Sequence, residues 1–167
     1  YSHHGAPMLG LEDSVTTFSG GAFSGRASSS VEQAGTRPLI NFSVANNEVR
    51  WRTARTYRTQ PATAKGIVYA GSNTPKSFDA IDEATGQVLW SWVPPPSDQS
   101  FHRNVVVTDN LVFVSTDRAI YALDLTTRQP VWSYPTPGMM AISGSGTLYI
   151  VEGAMEPTGR LIAISLK

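Results

Sequence analysis

The side chains able to do chemistry in this chain are few, and they can be weighed one group at a time. His3, His4 and His102 are the imidazoles available to a metal. Adjacent histidines near a terminus read as an unstructured end rather than a ligand set. His102 sits in Phe101-His102-Arg103, between a proline run and a strand; it either faces a central channel or lies in a surface loop, and the loop is the favoured reading. Asp82-Glu83 and Asp117 suggest calcium, but the alternating oxygen spacing of a calcium loop is missing, so turn capping is expected instead. Glu152 and Glu156 flank Gly153-Ala154-Met155 and read as solvated loop carboxylates. Ser143-Gly144-Ser145-Gly146 has no lysine and no helix after it, so it is no phosphate loop. The sequon Asn41-Phe42-Ser43 falls on an expected strand, a poor place for glycosylation. Pro94-Pro95-Pro96 reads as a stiff spacer rather than a polyproline ligand. No catalytic residue, metal ligand or cofactor emerges from these residues, and the reading leans away from an enzyme.

Composition narrows the classes further. Hydrophobic residues make up 41% of the 167, enough for one domain with a real core. Thirteen basic and 13 acidic side chains cancel, so nothing marks a nucleic-acid surface or an anionic-membrane patch. Cysteine is absent, which removes disulfides, thiolate metal sites, thiol nucleophiles and c-type haem attachment. No apolar run approaches the roughly 20 residues of a membrane-spanning helix. The first residue is Tyr1 and no basic-then-apolar leader opens the chain. That fits a processed chain or a piece of a longer one.

What must position these residues is a repeat. Asp79-Ala80-Ile81-Asp82-Glu83-Ala84-Thr85-Gly86-Gln87-Val88-Leu89-Trp90 shares its grammar with Tyr121-Ala122-Leu123-Asp124-Leu125-Thr126-Thr127-Arg128-Gln129-Pro130-Val131-Trp132. A weaker copy runs from Asn41 to Trp51, and a fourth start, Leu161 to Leu166, has no tryptophan after it. Trp51 and Trp90 are 39 residues apart, Trp90 and Trp132 are 42 apart. A period of about 40 residues built from short strands is the sequence mark of a β-propeller blade. From Pro38 onward the alternation and turn residues predict strand throughout, with hairpins at 45–48, 83–86 and 108–110. Residues 1–37 are rich in Gly and Ser and are expected to be irregular, with possible remnant strands at 15–18 and 22–25. The division is therefore 1–37, an irregular segment, and 38–167, the repeats. Each unit is expected to hold four antiparallel strands, the last being the variable one (105–107; 141–143).

The repeat has a mechanical reading. Asp82 accepts from N–H groups of the turn after it, and Thr85 does the same through its hydroxyl. Gly86 supplies the positive φ that closes the hairpin. Trp90 lies on the returning outer strand, where its ring can cover the adjoining blade. Ala80 and Ala122 are small where neighbouring sheets approach.

These residues resemble the repeat of pyrroloquinoline-quinone (PQQ)-type β-propellers. The resemblance is carried by Val68-Tyr69-Ala70-Gly71-Ser72 leading to Ala80-x-Asp82-x-x-Thr85-Gly86-x-x-x-Trp90, and by Leu111 to Ser115 leading to Ala122-x-Asp124-x-x-Thr127 and Trp132. It implies tryptophan-docking contacts between blades at Trp51, Trp90, Trp132, Asp82, Thr85, Gly86, Asp124 and Thr127. Ser43 and Ser165 stand where Asp is expected, Asn47 and Arg128 where Gly is expected. The family includes quinoprotein dehydrogenases, with a quinone, calcium and eight blades, and propellers that have lost the cofactor and act as scaffolds. The dehydrogenases of the main type stack the quinone under a vicinal disulfide, and this chain has no cysteine.

The expectation is thus an all-β propeller of about four four-stranded antiparallel blades, a partial or minimal ring. Three origins compete: a C-terminal half of a longer chain, which is favoured; a minimal closed ring using residues 10–37 as a blade; or a half-ring completed by another chain. The expected function is a non-catalytic binding or scaffold domain, periplasmic or extracellular, whose partner is another protein, the remaining half of a propeller, or a further copy of itself in a homo-oligomer. The alternative is the C-terminal portion of a PQQ-dependent dehydrogenase.

Overall fold

The structure, a computed structural model, describes residues 3–10, 13–19, 37–153 and 159–166. It is all-β, with fifteen strands and no helix among the described residues. They form four antiparallel sheets. The first takes β1 (His3–Leu9), β2 (Ser14–Ser19), β3 (Arg37–Ser43) and β4 (Glu48–Tyr57). The second takes β5 (Ala62–Ala64), β6 (Ile67–Asn73), β7 (Lys76–Asp82) and β8 (Val88–Trp92). The third takes β9 (Phe101–Val107), β10 (Leu111–Thr116), β11 (Ile120–Asp124) and β12 (Pro130–Tyr134). The fourth has three strands, β13 (Met139–Ile142), β14 (Thr147–Glu152) and β15 (Arg160–Ser165).

Each sheet is a meander in chain order, with consecutive strands paired antiparallel. In the first three sheets the turn between the third and fourth strands holds a residue in the left-handed backbone region: Asn47 (φ 54°), Gly86 (φ 74°) and Arg128 (φ 60°). Arg128 shows that the repeat's glycine position keeps its conformation where the glycine is lost. The first strand of each sheet lies beside the first strand of the next, so β1 touches β5, β5 touches β9 and β9 touches β13. The sheets therefore fan out from a common inner edge. Along that edge the main chain of Gln60 pairs with β9, donating to the Arg103 carbonyl at 2.8 Å and accepting from Val105 N–H at 2.9 Å. At the next step a side chain replaces main chain: Asn104 Oδ1 accepts from Met140 N–H (2.9 Å) and Nδ2 donates to the Met140 carbonyl (2.7 Å).

Strand alternation puts apolar residues on both faces of the inner sheets, which is what sandwiching between neighbours demands. The core is consequently three clusters, one per seam. Leu39, Trp51 and Tyr57 of the first sheet meet Val68, Ala70 and Ile81 of the second. Tyr69, Phe78, Ala80 and Trp92 meet Phe101, Val105, Val112, Val114 and Leu123. Phe113, Ile120 and Ala122 meet Met140, Leu148 and Ile150.

Two expectations are corrected. The segment 1–37 is not simply irregular, since β1 and β2 complete the first sheet; residues 15–18 lie within β2, while 22–25 fall outside the described residues. Small polar residues such as Ser14 and Thr16 mask this strand, yet both are buried and serve as close-packing positions. The variable strand opens the next sheet instead of ending the previous one, because the turn at 108–110 ties β9 to β10.

Candidate functional site: the seams between sheets

The second sheet's turn forms as its residue types dictate. Asp82 Oδ1 accepts from Thr85 N–H and Thr85 Oγ1, both at 2.8 Å, and Gly86 N–H returns to the Asp82 carbonyl at 2.8 Å. The Thr85 hydroxyl, then the Thr85 amide, holds the Asp82 carboxyl below the usual carboxylate range. Asp124 repeats the device with the amides of Thr127 (2.7 Å) and Thr126 (2.9 Å), which lower it likewise.

Trp51 of β4 reaches this turn from the first sheet. Its indole Nε1 donates to the Glu83 carbonyl at 2.7 Å. Its ring lies on Gly86, where an added Cβ would stand 2.7 Å from Trp51 Cδ2 and 2.8 Å from Cγ. Only glycine satisfies both the left-handed φ and that approach. A second tie crosses beside it: Ser14 Oγ donates to Glu83 Oε1, and both residues are buried.

Trp90 packs into the cluster between the second and third sheets, with ring partners Tyr69 (6.2 Å) and Phe78 (6.3 Å) in its own sheet. The ring that crosses this seam most closely is Trp92, 5.1 Å from Tyr121 and 6.4 Å from Phe101. Trp92 was not singled out from the sequence; its place two residues after Trp90, on the same face of β8, is the signal that would have found it. Trp132 packs into the third cluster, against Phe113 (6.4 Å) and Tyr134 (6.2 Å).

The sequence shows Ser43 where the repeat calls for Asp, and the structure shows the substitute. Asp13, on the loop before β2, accepts from Ser43 Oγ (2.6 Å) and Ala45 N–H (3.0 Å) and pairs with Arg50. The Ser43 hydroxyl chiefly holds Asp13 below the usual range. The carboxylate of the first turn is thus supplied from the neighbouring strand.

Buried carboxylates are tied into the same framework. Asp79 is fully buried and accepts from Arg55 Nη1 (2.9 Å), Tyr57 Oη (2.9 Å) and Ser91 Oγ (2.7 Å). Burial, then Asp79, pushes the Tyr57 phenol strongly up. Asp98, 1% exposed, accepts from Ser97 Oγ (2.8 Å), Thr116 Oγ1 (2.7 Å) and Tyr121 Oη (2.9 Å), while Lys76 donates to its carbonyl. Burial and then Asp98 push Tyr121 up to about 12.

The remaining candidates fall elsewhere. His102 lies in β9 rather than in a loop, half-buried, with Nε2 2.8 Å from Ser100 Oγ. Glu152 is not solvated: it ends β14, is buried, and takes Arg160 Nε (3.0 Å) and Nη2 (2.6 Å) on Oε2. Glu156 lies outside the described residues. Asn41 of the sequon is fully buried and donates to Thr16 Oγ1 at 3.0 Å. Strand positions 3–9 include His3 and His4, whose side chains lie outside the described residues. Among the described residues no three His, Cys, Asp or Glu side chains converge as a metal site. A calcium–quinone centre needs accessible, converging carboxylate donors, and Asp79 and Asp98 are buried and bonded to hydroxyls and Arg55; these residues do not fit it.

A fan of antiparallel sheets, joined at their inner edge and packed face to face through apolar seams, defines a β-propeller of the PQQ-repeat class. Residues 12–167 match the family described as outer membrane protein assembly factor BamB, and the chain belongs to that family. It is 32% identical over 138 residues to the dehydrogenase subunit of a quinone alcohol dehydrogenase of Komagataeibacter europaeus, covering 74% of this chain and 18% of that one. A match to the same subunit in Acetobacter aceti gives 31% identity over 121 residues, 67% of this chain and 16% of that one. The chain thus spans less than a fifth of these relatives. Among solved structures, BamB from Moraxella catarrhalis superposes with a TM-score of 0.67 at 15% identity, over 98% of this chain and 47% of that one. A europium-containing methanol dehydrogenase gives 0.65 at 11% identity, over 90% and 36%. Both likenesses are of fold.

Proposed function

We propose that this chain is a non-catalytic propeller scaffold, a rigid fan of sheets that binds a protein partner or the rest of a propeller ring. The observation that carries this reading is the use made of the buried carboxylates. Asp79 is held by Arg55, Tyr57 and Ser91, and Asp98 by three hydroxyls. Both are buried, 0% and 1% exposed, so their oxygens are turned to the protein's own donors. Trp51, Trp90, Trp132, Asp82, Thr85, Gly86, Asp124 and Thr127 are read as a docking set that locks sheet to sheet. Trp51 on Gly86 is the contact that supports this best. The absence of net charge supports a partner other than nucleic acid. The family resemblance supports a place in the periplasm or at the cell surface.

A second reading has its own support. Identity of 31–32% to quinone alcohol dehydrogenase subunits favours a portion of a quinoprotein enzyme, completed by sheets outside this sequence. Adding pyrroloquinoline quinone and calcium separates the two. The scaffold reading expects no shift in melting temperature and no dye-linked oxidation of alcohols or sugars. A saturable shift accompanied by turnover would reject it.

A further inference from the structure

At the start of β9 a hydroxyl meets an imidazole: Ser100 Oγ lies 2.8 Å from His102 Nε2. The two flank Phe101, which is fully buried in the middle seam, so alternation along the extended chain puts both on the other face. Ser100 and His102 are each half-buried, and solvent reaches the pair. β9 bulges directly after His102. Arg103 takes a left-handed φ of 63°, and the pairing steps from Ser115 opposite His102 to Val114 opposite Val105. Bulges re-aim side chains and recur beside active sites.

A third group holds the pair in place. Asp117, in the turn between β10 and β11, accepts on Oδ1 from the amides of Gln99 (2.8 Å) and Ser100 (3.1 Å), and its own amide donates to the Ser100 carbonyl at 2.9 Å. The main chain of Ser100 is thereby clamped at both its polar groups. Burial pushes the Asp117 carboxyl up, but the Ser100 and Gln99 amides, its own amide and the His102 charge hold it below the usual carboxylate range. An imidazolium formed at His102 therefore faces a carboxylate. The other charges on these segments are engaged: Arg118 Nε donates to the Ser97 carbonyl at 2.8 Å, and Asp98 is held by its three hydroxyls.

We propose that Ser100 is an acyl-acceptor site, a hydroxyl that His102 activates to take the acyl group of an activated ester. With the proton of the neutral imidazole on Nδ1, the Ser100 hydroxyl donates to Nε2, which is the geometry of a nucleophile beside its base. In the step, Oγ bonds to the carbonyl carbon of the ester and its proton passes to Nε2. The bond from that carbon to the leaving group breaks, the leaving group departs with the electron pair, and the proton follows it from Nε2. Nothing is oxidised or reduced, and the products are the Ser100 ester and the protonated leaving group. The neighbouring amides are already used, those of Gln99 and Ser100 by Asp117 and that of Phe101 by Asn73 Oδ1 at 2.7 Å. They are not left to hold the oxyanion that efficient hydrolytic turnover needs. The site keeps an acyl group rather than turning an ester over, so it goes beyond the non-catalytic reading without opposing it.

Acetylation of the 167-residue chain by N-acetoxysuccinimide tests this. Peptide mass mapping before and after hydroxylamine separates serine esters, which hydroxylamine removes, from lysine amides, which it leaves. The expected result is an ester at Ser100 formed at least about tenfold faster than at Ser145, an exposed serine whose hydroxyl is paired with that of Ser143. His102→Gln is expected to bring Ser100 down to the Ser145 rate, and Ser100→Ala to remove the ester, each with the β-sheet circular dichroism retained. In the wild type the Ser100 rate is expected to rise between about pH 5 and 8, where an imidazole gives up its proton, and then to level off; a hydroxyl without a base keeps rising. No ester at Ser100, equal rates at Ser100 and Ser145, or an undiminished rate in a folded His102→Gln would each overturn the proposal. Should His102→Gln lose its sheet spectrum, the wild-type pH profile decides, and a rate that climbs without levelling overturns the proposal equally. None of these results touches the quinone and calcium assay, so the scaffold reading stands or falls separately.

Discussion

The first and last seams of this molecule are built from the same apolar register, yet they are locked differently. Between the first and second sheets an indole N–H finds the Glu83 carbonyl and the ring rests on Gly86. Between the third and fourth, Trp132 packs on Phe113 and Tyr134, and Ser165 occupies the position held by Asp82 two sheets earlier. Apolar register, with the Asn104–Met140 pair at the inner edge, therefore suffices to place the last sheet. The Asp-x-x-Thr-Gly turn adds a directional contact, and it does so only where the turn is present to receive the indole.

The sharpest way to break this contrast is to remove the rings. Trp51→Ala is expected to destabilise the fold by about 3–5 kcal/mol, the range for deleting a buried aromatic. Trp132→Ala, with its ring half-buried, is expected to cost less than half as much; equal losses in urea titration would erase the distinction between the two seams. Next in size comes Gly86→Ala. Its new Cβ meets Trp51 at a φ that disfavours side chains, so about 1–3 kcal/mol is expected. Gly144→Ala, with open space around it, is expected to change stability by less than about 0.5 kcal/mol. An effect smaller than that of Gly86→Ala is expected at the first turn: Asp13→Ala removes the carboxylate borrowed by Ser43 and should lower the urea midpoint slightly.

The smallest effect is a pH dependence. Asp82 is held below its ordinary value in the folded state. Its stabilising contribution is therefore present above the unfolded pKa of about 4 and is lost as pH falls through the lower folded value. Asp82→Asn is expected to lower the melting temperature at pH 7 and to change it little well below about pH 4, so that the fall in acid is flatter. An unchanged acid slope would remove the turn from the account. At the alkaline end the sign reverses. The raised Tyr121 favours its protonated form, so that contribution holds below about pH 10 and is lost as pH rises through about 12.

Much of the fold could be read from residue order, because a propeller repeats its constraints. Each Ala-x-Asp start and each tryptophan marks one unit, and strand alternation did the rest. What stayed hidden was long-range substitution. Ser43 in an Asp position looked like decay of the repeat, but Asp13, thirty residues earlier, supplies the carboxylate. The first two strands were hidden by Ser14, Thr16 and their small polar neighbours, which look like loop until a sheet packs on them. Burial of Glu152 was equally invisible, since its partner Arg160 lies across a hairpin. Of the candidate site, the turn chemistry of Asp82, Thr85 and Gly86 was legible, being local. That Trp92 rather than Trp90 makes the close ring contact across the middle seam was not, because it depends on which ring the third sheet meets.

A double-mutant cycle across the first seam tests the central claim most directly. Trp51→Ala, Gly86→Ala and the combination would be compared by urea unfolding. If the repeat's residues serve as a lock between sheets, the two changes are coupled by more than about 0.5 kcal/mol, because the part of the alanine methyl's strain that comes from meeting the indole disappears with the ring while the part set by the left-handed φ stays. Strict additivity would show that the ring and the turn act independently, and would contradict the account.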